Sequence, residues 1–396
     1  MPEKTFCEFF AGVGLVREGL ESSGWSCVYA NDIDSKKRTT YDARFGASGH
    51  FHLGDVGQTD EVTRRIVGKP FLATASFPCI DLSTAGHYRG LVEGFHSSTF
   101  FGFANALEAL GDRKPSVVML ENVPGFLSSR GGDDFALAAK RLAGLGYWLD
   151  VIVLDACHFT PQSRPRVFVF GVAAGLRLPE TPSPGRLWPD DDTSPLRSKR
   201  IRNFKTDLKL STGWVTLPLP LPVRRQQLAE VIDTDDGQAW WAEADVLRHT
   251  AMMSEPHRRR VEEIVHSGTR WVGTIFRRIR ENAQRAEVRF DGLAGCLRTP
   301  KGGSAKQIVV TADRGVVRMR WMTPREYARL QGAPDFPLVG TATQQLWGFA
   351  DAVCVPAIRW IDRHVLTPLH DAAPTARRGR LTAPARQLDF AASLGD

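Results

Sequence analysis

Short apolar runs alternate with amphipathic stretches through the first 175 residues of the chain. This alternation predicts strands at 5–10, 26–30, 71–76, 116–120, 149–154 and 167–172, and helices at 15–23, from about 35, and at 135–145. Strands separated by helices form a mostly parallel sheet that is covered on both faces. Ligands of such sheets lie beyond the carboxyl ends of the strands, so the pattern also predicts where a functional site would be.

The alternation ends near residue 176, where proline becomes frequent. Residues 178–222 include PETPSPGRLWPDDDTSP and LPLPLP, and this composition predicts an irregular connector. Clusters of arginine follow at 224–225, 258–260 and 277–278, interleaved with Trp240, Trp241 and Trp271.

A compact pattern returns near residue 318. The segment TPREYARLQG predicts a helix with Thr323 as its N-cap and Pro324 in its first turn. From about 367 the chain is rich in alanine, proline and arginine with little periodicity, which predicts a disordered tail.

The composition limits the class of protein. With 42% hydrophobic and 24% charged residues the chain is typical of globular proteins, and its formal net charge of +7 favours a polyanionic partner. The six cysteines form no CxxC pair and no zinc-ligand spacing, which is typical of reduced thiols in a cytoplasmic protein. We expect no signal peptide, no membrane-spanning segment and no bound metal.

A glycine-rich turn, FAGVG, follows the first predicted strand at residues 10–14. Glycine lets a ligand approach the backbone, and the helix that follows offers free N–H groups. Asp32 ends the second predicted strand, where an acid can bind ribose hydroxyls, and Asp55 is placed to accept from an adenine amine. These features indicate a nucleoside cofactor, but they do not separate NAD from S-adenosylmethionine.

A thiol and a carboxyl follow two further predicted strands, in the motifs FPC, which ends at Cys79, and ENV, which begins at Glu121. Both are therefore expected at the ligand-bearing edge of one sheet. A thiolate beside a carboxyl that carries a proton suits conjugate addition to an electron-poor ring, as at carbon 6 of cytosine. Addition there would turn carbon 5 of the ring into a nucleophile that can take a methyl group.

The order of these motifs resembles that of the DNA cytosine carbon-5 methyltransferases. FFAGVG, ANDID, GDV, SFPCIDLS, ENV, PQSRPR, CLRTPKGGS and TPREYARLQG…ADAVCVP all appear in the family's order. The resemblance implies a Rossmann-like α/β methyltransferase fold with a smaller, irregular target-recognition domain. It also implies S-adenosylmethionine as methyl donor, S-adenosylhomocysteine as product and double-stranded DNA as substrate, in the modification enzyme of a restriction–modification system.

The resemblance also implies residue roles. Cys79 resembles the nucleophile, Glu121 the acid at ring nitrogen 3 and the exocyclic amine, Arg166 the donor to the base carbonyl, and Arg164 its brace. The implied cofactor-binding residues are Phe10, Ala11, Gly12, Gly14, Leu15, Asp32, Ile33, Asp55, Val56, Pro78, Asp351, Ala352 and Val353. The implied DNA-binding residues are Ser83, Arg89, Arg298, Thr299, Lys301, Gly302, Gly303 and Ser304.

The same resemblance implies a division of the chain into parts. Residues 1–175 are expected to form the first part of the catalytic domain, 176–295 the connector and target-recognition domain, 296–364 a recognition loop and the part that completes the catalytic domain, and 365–396 a disordered tail. We expect a monomer, with a cognate restriction endonuclease as its candidate protein partner.

Three positions depart from the family pattern. Ile80 stands where most members have glutamine, the usual Arg-Gly pair is missing before Thr99, and Ala350-Asp351 replaces Gly-Asn. Arg89 is the candidate replacement for the missing loop arginine. These changes affect the active-site loop and the cofactor contacts, not the core chemistry.

Three alternatives stay open at this point. The same chemistry on tRNA is disfavoured by the IDLS sequence that follows Cys79. A catalytically inactive DNA-binding protein is disfavoured because Cys79, Glu121, Arg164 and Arg166 are all present. A nicotinamide oxidoreductase would leave three motifs without a role: PC, ENV and the QxRxR motif at residues 162–166. The recognised DNA sequence is not predicted, because the pairing of side chains with bases depends on docking geometry.

Overall fold

The computed structural model describes residues 3–47, 49–78, 98–178, 194–223, 226–299 and 305–373. Its larger sheet has seven strands in the order β3-β2-β1-β4-β5-β7-β6. The strands are β1 (Thr5–Phe9), β2 (Ser26–Asp32), β3 (Phe51–Leu53), β4 (Leu72–Ala75), β5 (Val117–Asn122), β6 (Tyr147–Asp155) and β7 (Pro165–Ala173). The predicted α/β fold class is confirmed.

Strands β1 to β5 pair in parallel, whereas β7 lies antiparallel between β5 and β6. The expectation of a mostly parallel sheet is confirmed, with this antiparallel pair as the exception. Strands β6 and β7 are joined by a short connection over residues 156–164, which is too short for the helical crossover that parallel strands need. The carboxyl ends of β1, β2, β4 and β5 therefore share one edge, which the start of β7 also reaches.

Helices cover both faces of this sheet. The helices of the described residues are α1 (Leu15–Leu20), α2 (Ser35–Phe45), α3 (Thr59–Arg65), α4 (Ser98–Ala109), α5 (Asp133–Gly144), α6 (Lys199–Asp207), α7 (Glu243–Ala251), α8 (Glu255–His266), α9 (Pro324–Leu330), α10 (Ala342–Asp351), α11 (Val355–Ile361) and α12 (Thr367–Asp371). Of these, α7 and α8 pack against a second, smaller sheet. Among the described residues, no helix is long and apolar enough to span a membrane.

The second sheet is antiparallel and has four strands in the order β11-β10-β8-β9. Its strands are β8 (Trp271–Arg280), β9 (Ala283–Arg289), β10 (Ile308–Asp313) and β11 (Val316–Trp321). The prediction of irregular structure is thus wrong for residues 271–289, which form β8 and β9. These strands were missed because arginines on the exposed face hid their alternation of apolar and polar residues. Strands β10 and β11 come from beyond residue 295, so the predicted boundary there runs through the sheet.

The end of the chain is ordered further than its composition predicted. Helix α12 carries Leu369 and His370, both buried, and the His370 ring packs edge-on against Trp25 and Phe71 at 5.8 and 5.0 Å between centroids. Burial of these side chains stabilises the helix, and the proline at its start does not oppose it, because the first turn of a helix tolerates proline. Residues 374–396 lie outside the described part of the chain.

A buried carboxylate joins the connector to the edge of the larger sheet. Asp150, on β6, is fully buried and pairs with Arg197 at 2.5 Å and with Lys205 at 3.2 Å. Burial alone would raise the pKa of Asp150, but the two cations outweigh that effect and hold its pKa below the usual range. The backbone N–H of Leu217 also donates to Asp150 at 2.9 Å. One carboxylate on β6 therefore holds the connector at three of its residues.

Asp150→Asn should therefore lower the free energy of unfolding by about 3–5 kcal/mol, because Arg197 and Lys205 would keep buried charges without their counter-ion. Urea denaturation followed by circular dichroism measures the change. A matched control is Asp245→Asn, because Asp245 and Arg248 form an exposed pair at 2.8 Å. That control should cost less than about 1 kcal/mol. Equal losses in the two variants would contradict the anchoring role of Asp150.

Candidate active site

The glycine turn at the end of β1 is built on left-handed backbone. Phe10, Gly12 and Gly14 have φ angles of 56°, 58° and 89°. A Cβ at Gly14 would lie within 2.9 Å of the Tyr41 and Phe45 rings, so packing also requires glycine there. A Cβ at Gly12 would meet nothing within 4 Å, so the space above that residue is open to a ligand.

The acid predicted to bind ribose holds this turn in place. One oxygen of the Asp32 side chain accepts from the Gly12 N–H at 2.8 Å, and the other accepts from the Asp34 N–H at 2.9 Å. Each oxygen of a carboxylate keeps a further lone pair for a ligand hydroxyl. Next to it Ile33 is 72% exposed, which is unusual for a large apolar side chain and suits packing against a flat ring.

The other residues predicted to bind cofactor surround this turn. Asp55 is exposed and accepts from the Gly57 N–H at 2.8 Å. The side chains of Leu15, Val56 and Val353 are buried in the core, and that of Ala11 is nearly so, which leaves only their backbone for a ligand. Asp351 ends α10 and pairs with Lys37 at 3.0 Å, which brings the far end of the chain to α2.

The predicted catalytic acid lies beside a predicted catalytic arginine. Glu121 is near the end of β5, and its side chain contacts that of Arg166, on the neighbouring strand β7, with Nε and Oε1 3.0 Å apart. Both side chains are mostly buried, with 10% and 15% exposed. A planar guanidinium beside a carboxylate offers a donor and an acceptor at one place, which is what the polar edge of a base needs.

Arg164 is buried and donates to three backbone carbonyls. Its acceptors are Leu297 at 3.1 Å, Ala350 at 2.8 Å and Ala352 at 2.6 Å. Burial, and then the neighbouring Arg166 cation, lower the pKa of Arg164. The side chain therefore ties the start of β7 to the end of α10 and to the segment that follows β9.

Gln162, the first residue of the QxRxR motif, makes a parallel connection. Its side-chain amide donates to the carbonyl of Leu330 at 3.0 Å, and its oxygen accepts from the Leu297 N–H at 3.4 Å. The neighbouring Gln331 side chain donates to the carbonyl of Phe349 at 2.6 Å. Gln162 thus joins the segment before β7 to the end of α9 and to the segment after β9 through buried hydrogen bonds.

Two residues of this site had no role in the sequence analysis. Asn122, next to Glu121, donates from its side chain to the carbonyl of Phe77 at 3.2 Å. This bond holds the chain two residues before Cys79 against the end of β5. The position of Asn122 in the ENV motif was the available signal.

The second such residue is Cys296, whose Sγ lies 3.6 Å from the Arg164 guanidinium. Burial raises the pKa of a thiol, but Arg164 and Arg166 outweigh that effect, so the pKa of Cys296 lies below its usual value. A lone cysteine in CLRTP gave no signal of this, because the two arginines come from a distant part of the sequence.

Several predicted residues lie outside the described part of the chain: Cys79, Ile80, Ser83, Arg89, Lys301, Gly302, Gly303 and Ser304. Pro78, Arg298 and Thr299 are described and border those segments, and Arg298 is exposed. Roles for all of these residues stay predictions.

Alkylation of Cys296 should depend on pH as the two arginines dictate. In a Cys79→Ser background, its reaction with iodoacetamide should show a midpoint below that of an ordinary cysteine thiol, because the thiolate is the nucleophile. Replacing Arg166 by methionine should move that midpoint upward, because one cation is lost. Peptide mass spectrometry at several pH values measures both. A midpoint that Arg166→Met leaves unchanged would contradict the proximity of the two side chains.

The sequence and fold resemble those of known methyltransferases. The profile of the C-5 cytosine-specific DNA methylases matches residues 4–366. The chain is 29% identical to Type II methyltransferase M.BsuFI of Bacillus subtilis over 44% of this chain and 40% of that protein. It is 32% identical to Type II methyltransferase M.HhaI of Haemophilus parahaemolyticus over 41% of this chain and 47% of that protein. These two matches therefore span less than half of each relative.

A longer match is Type II methyltransferase M.HpaII of Haemophilus parainfluenzae, which is 26% identical over 92% of this chain and 90% of its own length. The structure of the Entamoeba histolytica methyltransferase EhMeth has the same fold, with a TM-score of 0.60, 14% identity, and coverage of 94% of this chain and 99% of that one. Because the family profile matches far more than half of the sequence, from β1 to the end of the π-helical turn after α11, the protein belongs to the family of C-5 cytosine-specific DNA methylases.

Proposed function

We propose that this protein transfers a methyl group from S-adenosylmethionine to carbon 5 of cytosine in duplex DNA, with Cys79 as the nucleophile. One observation carries the proposal: the Glu121–Arg166 pair, 3.0 Å apart, stands beside the strand end to which Asn122 holds the carbonyl of Phe77. The segment that leads to Cys79 is therefore held, as far as Pro78, at the strand end where a donor and an acceptor for one base edge lie.

The residues around the glycine turn fit an adenosine cofactor. The open space above Gly12 admits a ligand to the backbone, Asp32 keeps lone pairs for ribose hydroxyls, and exposed Ile33 offers an apolar surface to adenine. S-adenosylmethionine would supply an activated methyl group and leave as S-adenosylhomocysteine. Asp55 and the backbone of Val353 complete the proposed contacts.

The chain's own groups perform the remaining steps. The Cys79 thiolate adds to carbon 6, the 5,6 double bond moves its electrons towards the ring nitrogen, and Glu121 gives a proton to nitrogen 3. Arg166 donates to the base carbonyl and stays fixed by Glu121. After carbon 5 has taken the methyl group, its proton passes to water, the thiolate leaves carbon 6, and the proton on nitrogen 3 returns to Glu121.

The substrate base must leave the helical stack to reach Cys79, which costs a few kcal/mol that contacts with phosphates have to offset. We assign those contacts to the second sheet and to Arg298, Thr299 and the segment at 301–304. The Type II relatives favour the biological role of a modification enzyme in a restriction–modification system. We further propose that the protein acts as a monomer and that a cognate restriction endonuclease is encoded nearby.

A covalent adduct tests the proposed nucleophile. Duplex DNA with 5-fluorocytosine in the target position should trap the wild-type protein in the presence of S-adenosylmethionine, because the fluorine on carbon 5 cannot leave as a proton does. Denaturing electrophoresis measures the adduct. Cys79→Ser should form none, and the wild-type protein should form none with unmodified DNA. Methyl transfer that survives in Cys79→Ala would contradict the proposal. So would methyl transfer from S-adenosylmethionine to tRNA but not to duplex DNA.

Glu121→Gln separates catalysis from cofactor binding. Turnover should fall by roughly 100-fold or more, because glutamine cannot give a proton to ring nitrogen 3. Affinity for S-adenosylmethionine should stay within roughly twofold by calorimetry, because Glu121 lies apart from the glycine turn. The matched change Asp32→Asn should show the reverse pattern. Equal losses of both quantities in Glu121→Gln would show that its role is structural.

A further inference from the structure

The hairpin of β8 and β9 extends beyond the rest of the second sheet. Strand β10 pairs with β8 only over residues 271–275, so the remaining half of β8 pairs with β9 alone. The turn consists of Glu281 and Asn282, whose φ angles are 51° and 58°. Turns of this kind match the twist of the flanking strands, so the hairpin continues as a regular two-stranded ribbon up to its tip.

One face of this ribbon starts in the core and ends in solvent. Ile275, Ala286 and Val288 on that face are buried between the sheet and its helices. At the tip of the same face, Ile279 is opposite Gln284 and is 75% exposed. Gln284 is also exposed, and its side chain makes no hydrogen bond to any residue in the described ranges. An isoleucine and an uncommitted amide therefore stand side by side beyond the core.

The opposite face of the ribbon is basic. Arg278 and Arg285 lie directly opposite each other, an arrangement that costs stability when no anion is near. Glu287 offsets part of this charge, because it pairs with Arg278 at 2.8 Å and with Arg280 at 3.5 Å. Three arginines against one carboxylate leave this face positive, which suits the phosphates of a nucleic acid.

We propose that the tip of this hairpin enters the major groove of the DNA and reads an A·T pair in the recognised sequence. Ile279 would contact the methyl group of thymine, and Gln284 would bond to the edge of adenine. Arg278 and Arg285 would contact phosphates. The inference rests on the proposed function, in which duplex DNA is the substrate.

Physical chemistry favours this arrangement over a purely electrostatic contact. The major groove admits a two-stranded ribbon, and the pairing of apolar groups with the thymine methyl and of glutamine with adenine follows from the edges that those bases present there. Contact with DNA would remove the exposed Ile279 side chain from water, and it would exchange the bonds of the Gln284 amide to water for bonds to adenine. Arginines that contact only phosphates would bind every sequence equally well.

The experiment changes the DNA as well as the protein. Bisulfite sequencing of a randomised duplex library after treatment with the wild-type protein first gives the recognised sequence. Each thymine of that sequence is then replaced by uracil, which removes only the methyl group. At one position the wild-type kcat/KM should fall by roughly tenfold, and Ile279→Ala should have the same kcat/KM on both duplexes.

Three further variants separate base reading from charge. Gln284→Ala should lose discrimination at the base pair that Ile279 reads. The double variant Arg278→Ala and Arg285→Ala should bind all sequences more weakly and with a smaller salt dependence. Val67→Ala is the matched control: Val67 is 77% exposed on the catalytic domain, and its loss should change neither selectivity nor rate.

The possible outcomes are distinguishable. Methylation of DNA with no effect of uracil at any position would overturn the hairpin proposal alone, as would an Ile279→Ala variant that still responds to uracil. Absence of methyl transfer to every duplex would overturn the proposed function, and the hairpin proposal with it.

Discussion

The site depends on the hydrogen bonds of one buried guanidinium, that of Arg164. It is buried, and its donors reach the carbonyls of Leu297, Ala350 and Ala352. Burying a charge is costly unless most of its hydrogen bonds are made, so the segments that supply these carbonyls must stay in place to offset that cost. Since Arg166 follows two residues later, the same tie fixes the side chain that contacts Glu121.

This tie explains why motifs at the two ends of the sequence form one site. Asp32 and Glu121 stand on strands of the first part, whereas Asp351 and Leu297 come from the far end of the chain. The hydrogen bonds of Gln162 and Arg164 close the gap between them. The second sheet, whose strands come from both before and after Leu297, can therefore be inserted without disturbing the catalytic edge, because its strands pair with one another.

Much of the larger sheet was predictable, because its strands are short apolar runs separated by amphipathic helices. Thr323 caps α9 as predicted, and Glu326 completes the capping box. The antiparallel direction of β7 was not predicted, since periodicity carries no information on direction. The second sheet was hidden because its strands carry charge on one face, and because Arg320, buried on β11, is neutralised by Glu326 at 2.5 Å, a partner that appears only in three dimensions.

The candidate site shows the same division. Motif order was enough to select Glu121, Arg164 and Arg166, and the structure brings those three side chains together. The contacts of Asn122 and Cys296 could not be found from sequence, because each depends on a partner from a distant part of the chain. Their roles follow from geometry: one holds the segment before Cys79, and the other places a thiol of lowered pKa beside both arginines.

The most direct test of the account is the identity of the methylated nucleoside. Duplex DNA treated with the protein and isotopically labelled S-adenosylmethionine would be digested to nucleosides and analysed by mass spectrometry. If Cys79 adds to carbon 6 as proposed, all label should be in 5-methyl-2′-deoxycytidine. Label in N4-methylcytosine or N6-methyladenine would contradict this proposal, because neither product requires a thiolate at carbon 6 of the ring.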